Sequence, residues 1–172
     1  MPLVLHAIAI AELQALAAGT CTFRRFAIAE GALPTHVAVR ALRLLREGQA
    51  EQWCSTYFMV QDPQNLVVGA CGFEGQPVRG RVAIGYGVSP RMRGQGHACA
   101  AVRALLAIAL SSGRVNEVLA EVATSNLAST RVVSKLGFTA CSTRVDEDEE
   151  TLVQWVATNV TLTRTAASPG AD

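Results

Sequence analysis

The sequence has no cysteine pair at Cys-x-x-Cys spacing, no real excess of charge of either sign, and no apolar run of membrane-spanning length. Each absence removes a class of function. The five cysteines, Cys21, Cys54, Cys71, Cys99 and Cys141, are odd in number and scattered. They argue against a zinc site or disulfide framework and for buried, reduced thiols in a cytoplasmic protein. Lys and Arg number 15 against 14 Asp and Glu, a net charge of +1, so the basic stripe of a nucleic-acid binder is missing. The apolar N-terminal run Leu3-Val4-Leu5-His6-Ala7-Ile8-Ala9-Ile10 has no basic flank and soon meets Glu12. It is expected to be a strand leading into a helix, not a signal peptide. A membrane span needs about 20 apolar residues, and none is present. No repeat, long linker or low-complexity block divides the 172 residues. A single domain over 1–160 is expected, with 161–172 as a frayed tail of small and polar residues.

What is present is organised around Ile84-Gly85-Tyr86-Gly87-Val88-Ser89-Pro90-Arg91-Met92-Arg93-Gly94-Gln95-Gly96-His97-Ala98. It reads as a strand running into a glycine-rich turn that opens onto an alanine-rich helix ending near Ser112. Two glycines let backbone N–H groups converge without Cβ obstruction. The first helical turn adds donors with no intrahelical acceptor and the positive end of the helix dipole. Arg91 and Arg93 add full charges whose geometry suits phosphate oxygens. The pattern points to a phosphorylated ligand. At a glycine usage of roughly 7%, a Gly-x-Gly pair arises about once by chance in such a chain. The plain alternative, a solvated helix start with a flexible entry loop, is therefore weighed against the surrounding elements.

Residues 11–18 have helix-forming composition and stop at Gly19. A second helix is expected over 34–47. Pro34 sits in its first turn, Val37, Ala41, Leu44 and Leu45 face the core, and Arg40, Arg43 and Arg46 share the other side, read as a solvated face in preference to a contact for an acidic substrate. Strand-like runs at 55–61, 66–73 and 81–88 are joined by Asp62-Pro63-Gln64-Asn65 and by Glu74-Gly75-Gln76-Pro77 and its neighbours, the signature of an antiparallel meander. After the glycine turn, Ala98, Ala101, Val102, Leu105, Leu106, Ala109 and Leu110 mark the buried helix face. Residues 117–123 alternate as a strand, and a strand-helix-strand crossover of this length favours parallel pairing with the strand before the turn. Ser125 or Asn126 caps a further helix carried inward by Ala128, Val132, Val133 and Leu136. It ends with Gly137 in a left-handed conformation and Phe138 packing back. Strands near 139–145 and 151–157 close the sheet as a hairpin over the acidic turn 146–150. The expected class is α/β (α+β), a mixed, mostly antiparallel sheet flanked by helices. A dinucleotide-binding fold, which Gly94-x-Gly96-x-x-Cys99 brings to mind, wants its turn early in a series of parallel units, and the meander argues against it.

This element order resembles the GCN5-related N-acetyltransferase (GNAT) superfamily, and within it the branch of the ribosomal-protein alanine acetyltransferases. Four segments carry the likeness: Gly69-Ala70-Cys71-Gly72-Phe73, Ile84-Gly85-Tyr86-Gly87-Val88, Arg91-Met92-Arg93-Gly94-Gln95-Gly96-His97-Ala98, and Asn126-Leu127-Ala128-Ser129-Thr130-Arg131-Val132-Val133-Ser134-Lys135-Leu136-Gly137-Phe138. The resemblance implies a sheet splayed between its fourth and fifth strands with acetyl-coenzyme A in the gap. It places the diphosphate on the amides from Arg93 through Gly94, Gln95, Gly96 and His97 to Ala98, with Arg91 beside them. The pantetheine arm would run along Tyr86, Gly87 and Val88, and Asn126 and Ser129 would lie beside the coenzyme. His97 is expected to pack or touch phosphate, not to transfer protons. The implied activity is acetylation of a primary amine, a protein N-terminus or a small molecule, by a cytoplasmic monomer or homodimer with no metal, nucleic-acid or membrane partner.

Direct attack needs a neutral amine and an oxyanion donor, here a backbone N–H near Val88. A lysine-like ammonium, with a reference pKa near 10.4, costs about 4–5 kcal/mol to deprotonate at pH 7, whereas an α-amine near 8 costs about 1–1.5. The leaving thiol, taken near 8.5, needs only about 2 kcal/mol to depart as thiolate. A base therefore matters more than an acid. Relatives often carry glutamate where this chain has Ala83, and a tyrosine acid where it has Val133 beside Ser134. The remaining candidates are Glu121 on the strand across the gap and Glu74 at the end of the central meander strand, each able to act through a water. The two departures also motivate an alternative: a catalytically silent acyl-coenzyme-A sensor of the same fold.

Overall fold

The computed structural model describes residues 2–20, 23 and 25–158; the expected tail at 161–172 and Cys21 lie outside them. The elements in order are β1 (Leu3–Ala7), α1 (Ile10–Ala17), β2 (Ala27–Ile28), α2 (Thr35–Arg46), α3 (Glu51–Cys54), β3 (Thr56–Gln61), β4 (Leu66–Phe73), β5 (Arg81–Val88), a 3-10 turn (Pro90–Met92), α4 (His97–Ser111), β6 (Glu117–Ala123), α5 (Leu127–Lys135), β7 (Thr139–Val145) and β8 (Thr151–Thr158). One sheet has the strand order β1-β3-β4-β5-β6-β8-β7, with β2 against β4. The β1/β3, β3/β4, β6/β8 and β7/β8 ladders are antiparallel, and β5/β6 and β2/β4 are parallel. This is the mixed, mostly antiparallel architecture expected. The parallel register of β5 with β6 runs from Arg81↔Glu117 to Ile84↔Ala120, although β5 continues to Val88.

The chain forms two compact units whose boundary falls inside β5. The first comprises Met1–Gln76 and Gly85–Leu105. Its core joins Leu13 and Leu16 of α1, Ala38, Ala41 and Leu42 of α2, and Phe58, Val60 and Val67 of the meander. Phe58 meets the edges of Phe23 and Phe26 at ring separations of 5.0 and 5.8 Å. Trp53, fully buried in α3, meets Phe73 edge-on at 5.1 Å. The second unit comprises Pro77–Ile84 and Leu106–Asp172. Along β6, buried Val118, Ala120 and Val122 alternate with half-buried neighbours, and Val133, Leu136 and Phe138 of the α5 region are buried too. The β7/β8 ladder shifts register between Ala140 and Ser142, so Cys141 is a bulged residue on an edge strand exposed along its whole length.

Several local details differ from expectation. Pro34 is the extended N-cap of α2, not a first-turn residue. The inner face of that helix includes Ala38 and Leu42, while Val37 and Leu45 are only half-buried. Ala128 is exposed because α5 turns its first residues outward and buries Val133. Cys54 and Cys71 are buried, as expected of structural thiols, but Cys99 is half-buried and Cys141 is exposed. Burial pushes the Cys71 thiol up to about 12, so it stays protonated and inert. Removing a large, fully packed aromatic leaves a cavity, so Phe58→Ala is expected to lower stability by about 3–5 kcal/mol, read from urea unfolding.

Candidate functional site

At the end of β5 the chain is held by Ser89, which is completely buried. Its N–H donates to the Val68 carbonyl at 2.8 Å and its hydroxyl to the Glu30 carbonyl at 2.7 Å. The Met92 N–H in turn donates to the Ser89 carbonyl at 2.9 Å. From this anchor the backbone passes through Gly94 at φ +76° and Gly96 at φ +83° before α4 begins at His97. These left-handed angles are costly for any residue with a Cβ, by about 1–2 kcal/mol each. A Cβ on either glycine would meet nothing within 4 Å, so it is the dihedral and not crowding that asks for glycine, and the space beside both is open. The α4 ladder starts with the Ala100 N–H donating to the Gly96 carbonyl at 3.0 Å. Helix geometry leaves the amides before it without intrahelical acceptors. The turn thus leads into helix-start amides at the positive end of a helix dipole, a place whose chemistry suits anionic oxygens.

Arg91, Arg93, Gly94, Gln95 and Gly96 are exposed around this turn, and Ala98 is half-buried. Arg93 Nε folds back to donate to the Val88 carbonyl at 3.3 Å. His97 is only 6% exposed, and its Nε2 has no hydrogen-bond partner among the described residues. Burial lowers its pKa, so the ring is neutral at pH 7 and adds no charge to the cradle. Tyr86, Gly87 and Val88 precede the turn directly, so all the expected residues from Tyr86 to Ala98 belong to the first unit, as does Glu74.

Glu74 follows the last residue of β4, and its Oε1 accepts from Arg40 at 2.6 Å, with both side chains about 30% exposed. Arg40 is therefore not part of a purely solvated face. The helical period set it beside Arg43 and Arg46, while its partner lies 34 residues along the chain. An interior-strand glycine, Gly85, was the available signal that another group comes close at this point.

Glu121, Asn126 and Ser129 belong to the second unit. The Glu121 Oε1 accepts from Arg144 Nε at 2.6 Å and from Gln154 Nε2 at 2.8 Å, and its Oε2 accepts from the second guanidinium nitrogen of Arg144. Register explains the cluster, since Glu121 stands opposite Gln154 and Arg144 opposite Leu152 on the next strands. The Arg144 hydrogen bonds hold the Glu121 carboxyl below the usual range, helped by Gln154 and opposed by burial. Asn126 rather than Ser125 is the cap of α5, its Oδ1 accepting the Ser129 N–H at 3.1 Å. Val133 is fully buried and Ser134 is exposed.

A family model described as the acetyltransferase (GNAT) domain matches residues 3–139. The chain belongs to this family. No curated protein matches the sequence. Among solved structures, this GNAT domain is similar to the ribosomal L7/L12 alpha-N-protein acetyltransferase RimL, at 19% identity and a TM-score of 0.64 over 91% of this chain and 92% of that one. It is also similar to the aminoglycoside acetyltransferase AAC(6')-Ib in complex with coenzyme A, at 18%, 0.69, 96% and 100%. A third is a mutant form of the spermidine/spermine N-acetyltransferase SpeG from Vibrio cholerae, at 10%, 0.68, 97% and 100%. At such identities the shared property is the fold.

Because the folded-state pKa of Glu121 is depressed, its contribution to the stability of the GNAT domain is complete above the ordinary glutamate value of about 4.3 and fades as pH falls through the lowered one. Thermal melts from pH 7 to pH 3 are expected to show Glu121→Gln less stable than the parent at neutral pH, with the gap closing on the acid side.

Proposed function

We propose that the chain is an N-acetyltransferase that moves an acetyl group from acetyl-coenzyme A to a primary amine by direct attack. The observation that carries this is the pair of left-handed glycines, Gly94 and Gly96, leading into the N-terminus of α4 beyond the buried Ser89 anchor. Arg93 through Ala98 would hold the diphosphate, with Arg91 at the rim, and Tyr86, Gly87 and Val88 would line the pantetheine arm. Asn126 and Ser129 enter on sequence likeness alone. When bound, the coenzyme supplies the activated acyl group; the protein supplies position, an oxyanion donor near Val88 and a base. Glu74 and Glu121 are the carboxylates considered for that base.

The acceptor is a protein N-terminus or a small-molecule amine, and the related structures include enzymes named for a ribosomal protein, aminoglycosides and spermidine. No helix among the described residues is long and apolar enough to cross a membrane. A cytoplasmic monomer or homodimer with no nucleic-acid partner is the accompanying reading. The catalytically silent sensor is kept as a second reading, favoured by the three hydrogen bonds that engage Glu121 and by the buried Val133 where relatives often carry tyrosine.

Calorimetric titration with acetyl-coenzyme A, followed by turnover on an alanine-starting peptide, spermidine and kanamycin, tests the reading. Binding and turnover on at least one amine are expected, and the double variant Gly94→Ala/Gly96→Ala is expected to bind the coenzyme at least about tenfold more weakly, given about 1–2 kcal/mol of strain per residue. Absence of coenzyme binding refutes the proposal, and tight binding without turnover on any amine selects the sensor.

A further inference from the structure

The two carboxylates differ in what is left of them. Glu121 has both oxygens engaged by Arg144, and Gln154 adds a third donor. Glu74 is pinned through Oε1 alone, by Arg40, and its Oε2 receives no hydrogen bond from the described residues. Its place is also defined from below. A Cβ on Gly85 would lie 2.6 Å from Glu74 Oε1 and 3.4 Å from an Arg40 terminal nitrogen, so the ion pair occupies the space that a side chain at Gly85 would fill. Gly85 stands two residues after Ala83, where relatives often carry glutamate, and directly before Tyr86, Gly87 and Val88.

We propose that Glu74 is the proton-accepting carboxylate of the transferase, that Arg40 is its positioning residue, and that Gly85 is glycine because the pair lies on its backbone. This rests on the transferase reading above. The acceptor arrives as an ammonium ion. One N–H bond breaks and its proton passes to Glu74 Oε2, directly or through one water, while the nitrogen keeps the bonding pair. The neutral amine then bonds to the acetyl carbon as the carbon–sulfur bond breaks, and the sulfur leaves with its pair and takes up a second nitrogen proton. Glu74 returns its proton to solvent, and the products are amide and free thiol. Arg40 keeps one oxygen of the carboxylate fixed so that the other faces the amine, and a fixed base is worth far more than a mobile one.

The test uses the full chain as wild type, Glu74→Gln, Arg40→Met, Arg40→Lys and Gly85→Ala, each checked by thermal melt and by calorimetric coenzyme affinity. The acceptor is whichever of the alanine-starting peptide, spermidine or kanamycin the wild type acetylates. Glu74→Gln is expected to lower kcat about 10²–10³-fold with coenzyme affinity unchanged. Arg40→Met is expected to lower kcat about tenfold at similar KM, with most of it restored in Arg40→Lys, which keeps the charge. Gly85→Ala displaces only the far end of a flexible side chain, so it is expected to fold and bind coenzyme normally, yet to lose about 10²-fold in kcat. Its crystal structure is expected to show Glu74 Oε1 moved off the Arg40 contact. Undiminished kcat in Glu74→Gln, or in a Gly85→Ala protein whose carboxylate has visibly moved, overturns the proposal while leaving the transferase reading intact. A wild type that binds coenzyme but acetylates nothing removes both.

Discussion

The buried hydroxyl and amide of Ser89 set where the fifth strand stops and the glycine turn begins. Two donors and one acceptor of a single, fully buried residue are satisfied by Val68, Glu30 and Met92. Unmade hydrogen bonds there would cost about 1–3 kcal/mol each, so the strand end has little freedom to slip. Everything downstream inherits that fixity: the left-handed angles at Gly94 and Gly96, the aim of the first α4 amides, and the return of Arg93 onto the Val88 carbonyl. A backbone site for the proposed diphosphate would work only if the backbone is held, and here Ser89 holds it from behind the turn.

Wherever neighbours in sequence decide the outcome, the chain could be read directly. The runs 66–73, 81–88 and 117–123 have strand composition or alternate cleanly, and they coincide with β4, β5 and β6. The Leu-Gly-Phe ending of α5 was legible because Gly137 takes the left-handed conformation that follows a helix. α3 and β2 were not legible, since one helical turn and two paired residues are too short to show a period. Arg40 and Arg144 were missed for a different reason. Each finds its glutamate on another element, at separations of 34 and 23 residues, and only the assembled register brings them together.

The two positions where the sequence resemblance leads one to expect proton-transfer residues carry Ala83, half-buried, and Val133, fully buried. Val133 is wholly enclosed, so a larger polar ring would need the helix to move. The charged chemistry of the chain is instead concentrated in cross-strand and helix-to-strand ion pairs: Arg40 with Glu74, Arg81 with Glu117, and Arg144 with Glu121. Pairs between 22% and 48% exposed add modest stability in water, and orientation is the other thing they supply. They orient carboxylates, and the orientation differs from one pair to the next.

The bulge at Cys141 has its own outcome. A seven-residue outer strand with every side chain in solvent offers backbone groups to which any foreign strand could add. One residue out of step interrupts the ladder on that border, while Arg144 further along turns its guanidinium to Glu121. A second molecule sliding alongside would meet an irregular rim rather than a straight ribbon, a poorer template for a foreign strand.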